Sequence, residues 1–369
     1  MSDIRVERLA DVLVNYSVAV QPGHTVLIQG SPLAAPLLKA IFVRVLEAGG
    51  LPMTRIALPG LEELLFRHGS DEQIGYVPEP SRIIYKTFDA IISLMSTTNT
   101  KALSQIAPEK ITLASWAKSD LFETFTARAA AGELRWVGSL YPTDAYAQDA
   151  EMGLSEYEEF VYNACLPDLD DPVGFWVDLS SKQQRIVDWL AGKKTLRVEA
   201  EDVSLRMDIA GRRFENCDGK RNMPDGEIFT GPVEDSVEGH VRFSYPTVYQ
   251  GRRLEGVHLW FERGRVVRAT AEKGEAFLLE TLDTDPGARY VGEFAIGTNA
   301  GITRATGNTL FDEKISGSFH MAVGAGMPET GSVNRSAIHW DMICDMTRGG
   351  EIRVDDELMY KDGRFVIGI

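Results

Sequence analysis

The chain has 369 residues, 44% of them hydrophobic and 25% charged, which is enough apolar material for two domains of ordinary size. A formal net charge of -16 argues against the broad basic surface that holds nucleic acid. No apolar run approaches the roughly 18 residues of a membrane span, and the three cysteines, Cys165, Cys217 and Cys344, lie far apart with no CxxC pair, as suits a reducing cytoplasm.

In chain order, residues 4 to 18 carry an amphipathic helical pattern with charges running through it, unlike the apolar core of a signal peptide. HTVLIQG at 24–30 is a β-rich run. SPLAAPLLKAIFVRVLEAGG then reads as a helix stopped by Gly49 and Gly50, and MTRIAL at 53–58 as a second strand. Further apolar runs at 89–97, 110–116 and 134–142 are separated by helix-like segments. The expectation is an open, mostly parallel α/β sheet. Its first strand-to-helix turn, QGSPLAAP, lacks both GxGxxG and GxxxxGK[ST], so a dinucleotide or nucleotide pyrophosphate is not expected there.

SSKQQRIVDWLAGKK at 180–194 reads as a connecting helix, after which short alternating strands dominate. The tight turns in ERGRVV and YKDGRFV are hairpin signals. A boundary near residue 190 follows, with an N-terminal α/β domain over 1–189 and an α+β, antiparallel-strand-rich metal-binding catalytic domain over 190–369.

The chemistry concentrates in the second half. In SAIHWDM, His339 and Asp341 are two apart, so on a strand both point to one face while Trp340 points to the other. FDEKISGSFH places Glu313 and His320 in one short segment. Imidazole mixed with carboxylate suits zinc, manganese, cobalt or iron better than calcium or magnesium. Glu293 in RYVGEFAIGTN and Glu227 in NMPDGEIFT sit among apolar neighbours, where a buried carboxylate needs a cation, an ion-pair partner or a raised pKa. His24, His68, His240 and His258 have no acidic partner at ligand-like spacing and are read as ordinary structural histidines. None of the three cysteines has a catalytic context.

The ordered segments NMPDGEIFTGP, SYPTVYQGRRLEGVHLWFERGRVV, YVGEFAIGTN, LFDEKISGSFHMAVG and ETGSVNRSAIHWDM resemble the aminopeptidase T and aminopeptidase S family of dinuclear metallopeptidases. The resemblance runs through nearly the whole chain, but its specific motifs all lie after residue 220. It implies that Glu227, Glu293, His320, His339 and Asp341 are metal ligands, that Glu293 bridges two ions, and that Glu313 is a further acidic ligand or the catalytic proton shuttle. It also implies two divalent ions (zinc, cobalt, manganese or magnesium), small peptide substrates and a homodimer.

One position departs from the family. Its members have a tyrosine in a segment like GAGYPETG, and this chain has Met327 in GAGMPETG. A thioether cannot donate the hydrogen bond that a phenol can give to a developing oxyanion. Two other readings therefore stand beside the aminopeptidase. One is a mononuclear iron ring-cleaving dioxygenase built on His320, His339 and Asp341; the other is a metal- or peptide-binding relative with weak turnover.

Overall fold

The computed structural model describes residues 3–368 and divides into two compact units, one of residues 1–173 with 219–224, the other of residues 174–218 with 225–369. The division falls near the start of the helix Pro172–Leu190, whereas the boundary expected near 190 lies at that helix's end. This helix begins eight residues before the segment that reads as a connector in the sequence.

The first unit is built on a five-stranded parallel sheet. Its strands run in the order Leu51–Ile56, Thr25–Gly30, Ala90–Met95, Arg135–Leu140 and Asn222–Met223. The interior strands carry continuous apolar runs, such as Val26, Leu27 and Ile28, all fully buried, as expected where helices cover both faces of a parallel sheet. The apolar run at 110–116, expected with the strand-like segments, is instead inside the helix Pro108–Ala117. Pro108 at the first helical turn presets the helical φ, and Trp116 is left 75% exposed rather than packed in a sheet. The N-terminal helical pattern is realised as an α-helix, Ile4–Asp11, that continues as a π-helical stretch, Val12–Ser17.

The second unit is antiparallel throughout its two larger sheets. An eight-stranded sheet carries both expected hairpins. Their turn residues are Arg263 (φ 47°) with Gly264 (φ 75°), and Asp362 (φ 45°) with Gly363 (φ 77°). Two successive positive φ values match the twist of the flanking strands. The other sheet has five strands in the order His339–Asp345, Ser318–Gly324, Val291–Gly297, Glu227–Thr230 and Glu215–Cys217. No helix of the described residues is long and apolar enough to cross a membrane.

Candidate metal centre

Strand register in the five-stranded sheet decides which residues meet. Glu227 pairs with Gly297, Ala295 with His320, Glu293 with Ala322, Ala322 with Asp341 and Gly324 with His339. Directly paired residues share a face and alternate residues return to it. Glu227, Glu293, His320, His339 and Asp341 therefore all project from one face. The opposite face presents Ile228, Phe294, Ile296, Phe319, Met321, Val323, Trp340 and Met342, which all join one buried apolar cluster. Burying side chains of this size contributes about 1.5–3 kcal/mol each, so the apolar face offsets the cost of holding charge on the other.

A bulge at Gly292 tunes this register. Val291 pairs with Val323 while Glu293 pairs with Ala322, so the extra residue keeps Val291 on the apolar face and Glu293 on the charged one. A Cβ at Gly292 would lie 2.2 Å from the Ala325 carbonyl oxygen, which explains the glycine. Gly226, just before Glu227, has φ +116° and approaches Asn299 so closely that a Cβ would sit 2.9 Å from the Asn299 Cβ. The Asn299 amide in turn donates to the Asp225 carbonyl at 2.8 Å, and its backbone N–H donates to the Lys314 carbonyl at 3.0 Å.

Glu313 and Lys314 follow the short helix Thr309–Asp312. Its last residue, Asp312, is buried and accepts from Thr306 N (2.7 Å), Thr306 Oγ1 (3.0 Å) and Gly307 N (2.7 Å), which anchors the preceding loop to the helix that presents Glu313. Glu313 offers an oxygen within 4.8 Å of ligand atoms of both His320 and Asp341.

The ligand atoms fall into two halves around one carboxylate. Glu293 Oε1 lies 3.3 Å from His320 Nε2, and its Oε2 lies 3.4 Å from His339 Nε2. On the first half, Glu227 Oε2 is 3.5 Å from His320 Nε2; on the second, Asp341 Oδ1 is 3.5 Å from His339 Nε2. Glu227 Oε2 and Asp341 Oδ1 are buried atoms with no hydrogen-bond partner among the described residues. Orphaned buried oxygens beside imidazole nitrogens are what a cation site looks like from its ligands alone. His339 Nδ1 donates to the Ala325 carbonyl at 2.8 Å, which leaves Nε2 with its lone pair for a metal. The residues fit divalent ions of the borderline kind that mixed nitrogen and oxygen donors prefer.

The electrostatics of these side chains point the same way. Burial pulls the His320 imidazole down, but the hydrogen bond to Glu293 and the charges of Glu227 and Glu293 lift it to about 9. Burial likewise works against charge on His339, which Asp341 and Glu293 raise to about 12. Glu293 is driven up by burial and brought down to about 2 by His320 and His339. Glu227 is pushed up to about 8 by burial, against the pull of Lys314. The Glu313 carboxyl is also raised, by burial first.

All six residues read from the sequence thus lie together, and three that were not read stand among them. Lys314 is fully buried, with Nζ 3.7 Å from Glu227 Oε1 and in contact with Glu313 Oε1. Burial opposes its charge, yet Glu227, Glu313 and Asp225 hold it well above the ordinary lysine range. Asp225 is buried, and Cys217, paired with Glu227 across the ladder, shares the charged face; these two can approach Glu227 within ligand distance. The local signal for Lys314 was a lysine inside the apolar frame of LFDEKISGSF, and for Asp225 its place next to Gly226 in PDGE. Among the described residues, no grouping of this kind includes His24, His68, His240 or His258.

The chain is similar to several known proteins over nearly its whole length. Aminopeptidase 2 of Geobacillus stearothermophilus is 28% identical over 400 residues, covering 97% of this chain and 94% of its own. Wild-type AmpT from Thermus thermophilus superposes with a TM-score of 0.85 at 23% identity, covering 98% of this chain and 99% of that one. A 2,5-dihydroxypyridine dioxygenase from Pseudomonas putida KT2440 shares the fold more loosely, with a TM-score of 0.59 at 14% identity, covering 98% of this chain and 97% of that one. The family model described as thermophilic metalloprotease (M29) matches residues 2–365, and the chain belongs to that family.

Proposed function

We propose that the protein is an aminopeptidase that removes N-terminal residues from small peptides at a dinuclear centre. The single observation that carries this reading is Glu293, whose two oxygens face the two histidines separately, at 3.3 Å from His320 and 3.4 Å from His339. Glu227 and His320 would complete the shell of one ion, His339 and Asp341 that of the other. Divalent ions held by these residues would polarise a scissile carbonyl and lower the pKa of a bound water toward neutrality.

The remaining work falls to the protein's own groups. Glu313 lies beside His320 and Asp341 with its carboxyl raised, so it can take a proton from the attacking water and return it to the leaving amine nitrogen. His339 is the most exposed of the ligands on the four strands, its side chain 26% accessible, so the substrate approaches from its side of the cluster. The acidic surroundings favour the free ammonium group of a peptide N-terminus over a blocked one.

Membership of the metalloprotease family, together with Glu227 and Glu293 standing beside the two histidines, favours hydrolysis over the dioxygenase reading. Met327 keeps a second reading in play, a metal-binding relative of weak turnover. The test is release of the N-terminal residue from aminoacyl anilides and short peptides after loading with zinc, cobalt, manganese or magnesium. Turnover supports the aminopeptidase; a metal-loaded protein inert on every substrate sinks it. Met327→Tyr should raise kcat if the missing hydroxyl limits the reaction, by up to the roughly 10²-fold that one oxyanion donor supplies. The family resemblance further suggests a cytoplasmic homodimer, which analytical ultracentrifugation would check.

A further inference from the structure

The inference drawn here rests on the dinuclear reading above and concerns Lys314, to which the resemblance gives no role. A lysine with no exposed surface is uncommon unless carboxylates pair with it, and here Glu227 and Glu313 do so. Its contacts are directional. Nζ approaches Glu227 at Oε1, 3.7 Å away, whereas the oxygen of Glu227 that faces His320 and lacks any hydrogen bond is Oε2. Glu313 likewise meets Lys314 through Oε1.

Charge counting gives the ammonium a purpose. Glu227, Glu293, Glu313, Asp341 and Asp225 bring five carboxylates to the cluster. Two divalent ions and one ammonium balance them; three divalent ions with the ammonium would not. Cys217, Asp225 and Glu227 form a grouping that by distance alone is able to hold a cation, and Lys314 already brings its ammonium to 3.7 Å from Glu227 Oε1. We propose that Lys314 is a built-in counter-ion that takes the place of a third cation, limits the centre to two divalent ions and weakens the hold on the ion next to Glu227. It acts as a positioning residue through Glu227 and Glu313, not on the substrate.

The test compares the holoenzyme with Lys314→Met and Lys314→Arg. Metal per chain is measured by elemental analysis after equilibrium dialysis against cobalt(II), together with the visible cobalt spectrum and the rate at which excess chelator strips the metal. Lys314→Met should bind a third equivalent or lose its ions at least about tenfold more slowly, the scale on which groups supporting metal ligands change affinity. Lys314→Arg, keeping the charge, should match the wild type. Two ions per chain in Lys314→Met, lost to chelator no more slowly than from wild type, overturn the proposal. Because Lys314→Met is read as holoenzyme without passing through a metal-free state, folding of the bare chain does not enter. A wild-type protein that holds no divalent ion defeats the dinuclear reading itself; two ions in wild type with no difference in the variant defeats only this inference.

Discussion

The two five-stranded sheets solve burial in opposite ways. In the parallel sheet of the first unit, buried positions such as Val26, Leu27, Ile28, Ile91 and Ile92 are apolar, Ser139 is the polar exception, and none is charged. In the antiparallel sheet of the second unit, Val291–Gly297 and Ser318–Gly324 are buried at every position, yet they carry Glu293 and His320. A strand can keep charge in its interior only where register gathers compensating charges on the same face. The first sheet is thus a stability element, and the second joins an anchoring apolar face to the charged face that we propose holds metal.

The largest effect that could break this contrast is at the shared carboxylate. Glu293→Ala should cut turnover on the order of 10³-fold or more, because both halves lose a ligand at once. Metal content should fall with it. Retention of full activity and two ions would show that Glu293 does not bridge. Next in size, Leu27→Ala in the parallel sheet should lower unfolding free energy by about 2–5 kcal/mol, measured by urea denaturation, with metal per folded chain unchanged. Loss of metal from that variant would erase the distinction between the sheets.

Gly292→Ala lies between the two kinds of effect. The added methyl meets the Ala325 carbonyl, so the bulge must shift, at about 1–3 kcal/mol in stability. Since the same bulge aims Glu293, metal affinity should fall as well. A variant that is destabilised but binds metal normally would detach the bulge from the site.

The smallest effect is a pH trend of opposite sign with and without metal. For the side chains alone, His320 is raised to about 9 and Glu227 to about 8. Groups raised on folding stabilise fully below their unfolded values and lose that contribution as pH rises through the folded ones. Metal-free protein should therefore lose stability between neutral pH and about pH 9. Ions require the deprotonated ligands, so metal affinity should rise over the same interval, with protons released on binding at pH 7. Calorimetry in buffers of differing ionisation enthalpy measures the release. Proton-neutral binding would mean that these imidazoles and carboxylates are not the ligands.

Much of this site was legible in the sequence because strand alternation is a short-range rule. HxD in SAIHWDM announced a shared face, and the apolar neighbours of Glu293 announced burial. The hairpins at Arg263–Gly264 and Asp362–Gly363 were equally local. What escaped depended on contacts between distant segments. Lys314 looks like half of an ordinary Glu-Lys surface pair until Glu227 is seen 3.7 Å from its ammonium. Cys217 reaches the charged face only through its pairing with Glu227, and the run at 110–116 turned helical because Pro108 starts a helix that composition alone does not distinguish from a strand.

The central claim is a pair of ions joined by Glu293, and anomalous scattering from crystals grown with manganese or zinc tests it most directly. Two peaks about 3.5–4 Å apart are expected, one flanked by Glu227 and His320, the other by His339 and Asp341, with Glu293 between them. A single peak held by His320, His339 and Asp341 at full occupancy would contradict it.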